Sequence, residues 1–155
     1  MNVVNSLLDE IRRRIGVADD ETELFSDDEL RMFANKWSST TPVSFTATCI
    51  NNVFIPATDK KFWHITFSEV SGETYDVDVV NAIISVTGTD TDEKEITGYP
   101  VALNLLMADI FEALALSHTK MARFVTITPG ASWNTTTLAA EFMKRARQLR
   151  NGRWL

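Results

Sequence analysis

The sequence predicts an α+β fold: a small helical bundle around one long central helix, with an inserted antiparallel β module. Three observations predict it. From Pro100 to about Arg123 the chain is dominated by Ala, Leu and Met, all good helix formers. After Pro42 the apolar period changes from about 3.6 residues to about 2, the difference between a helix and a strand. Beyond a polar stretch at Gly88–Gly98 the helical period returns, first in the long helix and again in a basic last helix. Residues 1–42 and 90–155 therefore read as one helical domain, and 43–89 as the inserted β module.

The central helix is expected to start at Pro100, since the first helical turn tolerates a missing N–H. Leu103, Met107, Ile110 and Leu114 form one apolar stripe, and Val101, Leu105, Ala108 and Ala115 a second. Leu106, Ala113 and Leu116 partly close the gap between them, which makes a helix buried on several sides. Asp109 and Glu112 leave one narrow polar strip. These two acids, and the absence of an uninterrupted run of about 18 apolar residues, argue against a membrane span.

Before this helix, Val4, Leu8, Ile11 and Ile15 recur at helical spacing up to Gly16, with Arg12, Arg13 and Arg14 in the last turn, where the helix dipole favours cations. An acidic connection, Val17 to Leu24, follows. Phe25-Ser26-Asp27-Asp28-Glu29-Leu30 then combines a capping box, Ser26 with Glu29, and a hydrophobic staple, Phe25 with Leu30. The helix it opens shows Leu30, Phe33, Ala34 and Trp37 on one face. In the β module, Val43–Cys49, Val53–Ile55, Phe62–Glu69, Thr74–Val80 and Ala82–Thr87 alternate as strands, with Asn51-Asn52 and Ser71-Gly72 as turns. These make a four- or five-stranded antiparallel sheet or small barrel. After the long helix, Phe124–Ile127 is expected to be extended and Thr128-Pro129-Gly130-Ala131 to turn. Asn134 or Thr135 then caps a last helix carrying Leu138, Phe142, Ala146 and Leu149 on one side.

With 155 residues, 45% of them hydrophobic, the chain is long enough to bury a sizeable core. A net charge of -6 argues against nucleic-acid binding through overall charge. The charge is uneven: residues 9–29 are rich in Asp and Glu, whereas Lys144, Arg145, Arg147, Arg150 and Arg153 sit in a tail with no acid. Such asymmetry suits an oriented partner, including a neighbouring copy. Cys49 is the single cysteine, which excludes a disulfide framework and a thiolate metal cluster. The first residues lack the apolar core of a signal peptide, and a cytoplasmic setting is expected.

Catalysis needs an acid, a base or a nucleophile held within reach of one another. His64 falls in a strand and His118 near a helix end, Cys49 alternates with apolar neighbours, and there is no Gly-rich phosphate loop, HExxH or GxSxG. No enzyme, cofactor or metal site is expected. The last helix could line a phosphate backbone with Lys144, Arg145, Arg147 and Arg150, as a small nucleic-acid-binding regulator would. Leu138, Phe142, Leu149, Trp154 and Leu155 favour a protein surface instead, where aromatic and arginine side chains serve as anchors.

The order of elements resembles a known family. A short helix ends in Ile15-Gly16, an acidic stretch follows, and a capped helix begins Ser26-Asp27-Asp28-Glu29-Leu30. A long Ala/Leu helix comes next, then a loop and a basic last helix, Leu138-Ala139-Ala140-Glu141-Phe142-Met143-Lys144-Arg145. Residues 4–37 and 100–151 are in this respect similar to the head-tail adaptor (connector, or head-completion) proteins of tailed bacteriophages, although the β insertion departs from their wholly helical members. The resemblance implies a virion protein of the neck, assembled in the host cytoplasm. It implies a ring, usually of twelve copies, between the portal protein and the tail or neck proteins, with viral DNA passing through the lumen without sequence-specific binding. It places portal contacts at Phe142, Arg145, Leu149, Arg150 and Trp154. The ring interface is expected at Asp109, Glu112 and Arg147.

Overall fold

A computed structural model describes residues 1–16, 24–127 and 135–152. The chain divides into two compact units, one of residues 1–10 and 38–101, the other of residues 11–37 and 102–155.

The first unit is a curled sheet of seven strands: β1 (Asn2–Asn5), β2 (Val43–Ile50), β3 (Val53–Pro56), β4 (Lys61–Thr66), β5 (Thr74–Asp78), β6 (Ile83–Thr87) and β7 (Lys94–Val101). Their order across the sheet is β1-β5-β6-β3-β2-β7-β4, antiparallel except for the parallel β1–β5 pair. The β2–β3 hairpin turns on Asn51 and Asn52, both at positive φ as its two-residue turn demands. The sheet curls until edge strand β4 meets the turn after β5. There Phe62 N–H donates to the Val80 carbonyl at 3.0 Å, and Lys61 Nζ donates to Asn81 Oδ1 at 2.6 Å. Ala47, Phe54, Phe62, Tyr75, Val77, Ile84 and Ile96 fill the concave side, each at most 1% exposed. A register shift between Phe62 and His64 lets both Phe62 and Ile65 face inward, where strict alternation would separate them. Gly98 of β7 lies under them; a Cβ there would stand 2.6 Å from the Phe62 ring.

One end of this core holds a buried ion pair. Lys94 Nζ lies 2.7 Å from Asp90 Oδ2, donates to the Ser68 carbonyl at 3.0 Å, and sits over the Phe54 and Tyr75 rings. Tyr75 donates its hydroxyl to the same carboxylate and accepts from Val70 N–H at 2.9 Å. The bond to Lys94, then that to Tyr75, holds the Asp90 carboxyl below its ordinary value, while burial, and next the neighbouring carboxylate, push the Tyr75 hydroxyl up. The Asp90 carboxylate thus ties the segment before β7 to the core, while the Lys94 ammonium and the Tyr75 hydroxyl it holds tie in Ser68 and Val70 before β5.

The helices are α1 (Leu7–Ile15), α2 (Asp27–Trp37), α3 (Leu103–Leu116), α4 (His118–Ile127) and α5 (Thr135–Arg150). In the second unit, Ser26 and Glu29 form the expected capping box, with Ser26 Oγ accepting from Glu29 N–H and Glu29 Oε1 from Ser26 N–H, both at 3.2 Å. Phe25 and Leu30 are both buried. Lys120 of α4 completes this corner: it donates to the Leu24 carbonyl at 2.7 Å, pairs with Glu29 at 3.1 Å, and lies 4.4 Å from the centre of the Phe25 ring. Phe111 of α3 stacks on Phe142 of α5, and Phe124 of α4 meets the same ring edge-on.

The predicted bundle around one long central helix is therefore incorrect; the chain is a mixed α/β protein, with a seven-stranded sheet and five helices among the described residues. Three local causes account for the difference. Pro100 belongs to β7, whose residues Lys94, Ile96, Gly98 and Val101 turn inward behind a polar composition that reads as a linker. The helix from Pro100 to Arg123 is two helices, because Ser117 leaves helical geometry (φ -105°, ψ 108°) and its hydroxyl accepts from Lys120 N–H at the start of α4. Phe124–Ile127, expected to be extended, is the last turn of α4. At the other end of the chain, Val4 lies in a strand and α1 starts only after Ser6, whose hydroxyl caps Asp9 N–H at 3.2 Å. The acidic stretch from Val17, the Thr128–Ala131 turn and the Asn134 or Thr135 cap lie outside the described residues and side chains.

Removing one member of a buried ion pair leaves the other charge uncompensated. Asp90→Asn is expected to lower unfolding stability by about 3–5 kcal/mol, and Asp90→Leu with Lys94→Met to recover most of that loss, as read from denaturant midpoints.

Candidate functional site

The helical unit gathers most of the side chains singled out in the sequence, and α3 organises them. Residues two apart on a helix point about 200° from each other, so Asp109 lies nearly opposite Met107 and Phe111. These two sides of α3 have different surroundings.

On the Asp109 side, charges converge from three helices. Asp109 Oδ2 accepts from Lys36 Nζ and from Trp37 Nε1 of α2, both at 2.8 Å. Its other oxygen accepts from Arg150 Nη2 of α5 at 3.1 Å. Arg150 also pairs with Glu112, one turn along α3. The Asp109 side chain is 14% exposed, so burial pushes its carboxyl up; the donors Lys36, Trp37 and Arg150 outweigh this and hold it below its ordinary value. Glu112 first, then Asp109, raises the Arg150 guanidinium further above its already high value. Lys36 also lies 5.2 Å from the centre of the Trp37 ring. The acidic strip of α3 is thus neutralised within the chain.

On the Met107 side, a groove of about 450 Å³ runs between α1, α3 and α5. Met107, Phe111 and Leu149 give it an apolar floor, and Arg14, Arg145 and Glu141 stand around it. The Arg145 guanidinium lies 5.9 Å from the Phe111 ring centre and 5.6 Å from that of Phe142. It pairs with Glu141, 3.8 Å away along the same helix. Arg145 thus lies within cation–π range of both rings and lines the groove.

The expected portal contacts separate accordingly. Phe142 and Leu149 are 1% and 4% exposed and belong to the core of this unit, so they shape α5 from beneath. Arg145 rims the groove, Arg150 is held by Asp109 and Glu112, and Trp154 lies outside the described residues. Of the expected ring-interface residues, Asp109 and Glu112 share Arg150, whereas Arg147 is exposed on α5, as is Lys144. The groove and the partners of Asp109 were not legible in the sequence; the one available signal was Lys36-Trp37 at the end of a helix, a cation beside an indole donor.

Elsewhere, His64 is exposed on β4 and stacks on Trp63 at 4.8 Å, while His118 opens α4. Cys49 is a half-buried free thiol paired with Phe54 across β2–β3. Among the described residues, no three His, Cys, Asp or Glu side chains are grouped to hold a metal, and no helix is long and apolar enough to cross a membrane. No protein-family model, curated protein or solved structure matches the chain.

The depressed Asp109 carboxyl has a definite sign. Its contribution is fully present above the unfolded-state value near 3.8 and is lost as pH falls through the lower folded-state value. Unfolding titrations at pH 7 and pH 3 should therefore show a smaller acid loss in Asp109→Asn than in the parent chain, with the variant less stable at pH 7 by about 1–3 kcal/mol.

Proposed function

We propose that this chain is a structural protein of the neck of a tailed bacteriophage, forming a ring between portal and tail with DNA passing through its lumen. One observation carries the reading. The two separated segments that resemble head-tail adaptor proteins, residues 4–37 and 100–151, fall almost wholly within one compact helical unit, residues 11–37 and 102–155. Its helix α5 has its apolar side buried and Lys144 and Arg147 exposed. In this reading the exposed basic side of α5 faces the portal, and copies of the unit meet side by side around the ring. The curled sheet adds a second body to each subunit. An acidic chain suits a lumen that does not grip DNA.

The exposed cations also support the second reading, a small nucleic-acid-binding regulator. The two differ in what α5 binds. Purified chain should co-sediment with purified portal rings, and Lys144→Glu with Arg147→Glu should abolish this without shifting the thermal midpoint. Failure to co-sediment with intact rings would overturn the portal contact. Duplex binding that weakens steeply with salt, and is lost in the same variant, would establish the regulator instead.

A further inference from the structure

The two sides of α3 match each other in chemistry. On the groove side, an apolar floor lies beneath an arginine whose own carboxylate neighbour is 3.8 Å away. On the Asp109 side, α2 presents the reverse: Met32 is 72% exposed at the rim of a shallow hollow of about 330 Å³. One turn before it stands Asp28, its side chain 93% exposed and its partner Arg31 at 3.3 Å, itself half in solvent. An exposed i, i+3 pair of this kind contributes little to the fold. An unbranched, polarizable methionine beside a carboxylate fits an apolar slot beside a guanidinium.

We infer that the groove of one protomer receives the Asp28–Met32 side of α2 from the next, with Met32 entering over the Phe111 floor and Asp28 meeting Arg145. The inference rests on the ring reading and names its subunit contact. A knob and a slot on opposite sides of one helical unit make a heterologous interface, which repeats head to tail and closes when the rotation per subunit allows. The Asp109 side chain is left to its own chain, and its hydrogen bonds to Lys36 and Trp37 position α2 so that Met32 points outward. A single methionine with a flanking charge pair makes a modest contact, one that a platform would reinforce by holding copies at high local concentration.

Directed cross-linking tests the pairing. In a Cys49→Ser background, Asn35→Cys and Gln148→Cys are combined; each lies one turn from the proposed contact, and neither is a buried residue. Mild oxidation at high protein concentration, with and without portal rings, should give a ladder of dimers, trimers and higher species. Each single-cysteine chain should give dimers at most. Arg145→Glu should remove the ladder, and adding Asp28→Arg should restore it. A double-cysteine chain that yields nothing beyond the single-cysteine species in either condition overturns the pairing, as does a ladder indifferent to Arg145→Glu. Portal co-sedimentation without the ladder would leave the neck reading standing and remove this contact. A ladder without portal binding would keep the contact and displace the neck reading.

Discussion

One carboxylate fixes the geometry of the helical unit. Asp109 sits on the polar strip of an otherwise apolar helix and takes donors from α2 and α5 at once, so three helices share a single anionic centre. Hydrophobic packing alone would allow α2 and α5 to slide or rotate against α3, because apolar contact carries no direction. The hydrogen bonds to Trp37 Nε1 and Arg150 supply that direction. With α2 oriented, Met32 and Asp28 face outward; with α5 oriented, Arg145 stacks on Phe111 and Phe142 and lines the groove.

The curled sheet solves a similar problem by different means. Its closure rests on β4, whose register shift turns both Phe62 and Ile65 inward and whose Phe62 N–H reaches the Val80 carbonyl. Gly98 permits that close approach of the Phe62 ring to β7. The Lys94–Asp90–Tyr75 cluster ties the segments that precede β5 and β7 to the same core. Each unit thus places one buried or half-buried carboxylate where separate segments must be held in register.

What the sequence revealed follows the range of the forces involved. The α2 cap was legible because Ser26 and Glu29 act on each other three residues apart. The strands β2, β3, β5 and β6 were legible because their alternation and the Asn51-Asn52 turn are local; β4 was legible as a strand, but its register shift, which turns Phe62 and Ile65 to the same side, breaks the alternation. β1 was missed because Val4 happens to sit at helical spacing from Leu8, while the hydrogen bonds from Asn2 and Asn5 go to Asp76 and Asp78, more than seventy residues away. β7 was missed because a buried lysine makes Lys94–Val101 look like linker, and its burial is explained by distant partners, Asp90, the Ser68 carbonyl and the Phe54 and Tyr75 rings. The break at Ser117 had a local signal, a serine at the end of an Ala/Leu run, and the apolar stripe on either side concealed it. Among the site residues, the acidic strip and Arg150 were singled out separately; their pairing depends on how α5 lies along α3, which no local pattern records.

The anchoring role of Asp109 is tested most directly by a double-mutant cycle on Asp109→Ala and Arg150→Ala, read as unfolding free energies at pH 7. If this carboxylate sets the position of α5, the two losses will be strongly non-additive, with a coupling of about 1 kcal/mol or more. If the losses simply add, within about 0.3–0.5 kcal/mol, α5 is placed by its apolar stripe alone and the charges around Asp109 only decorate the surface.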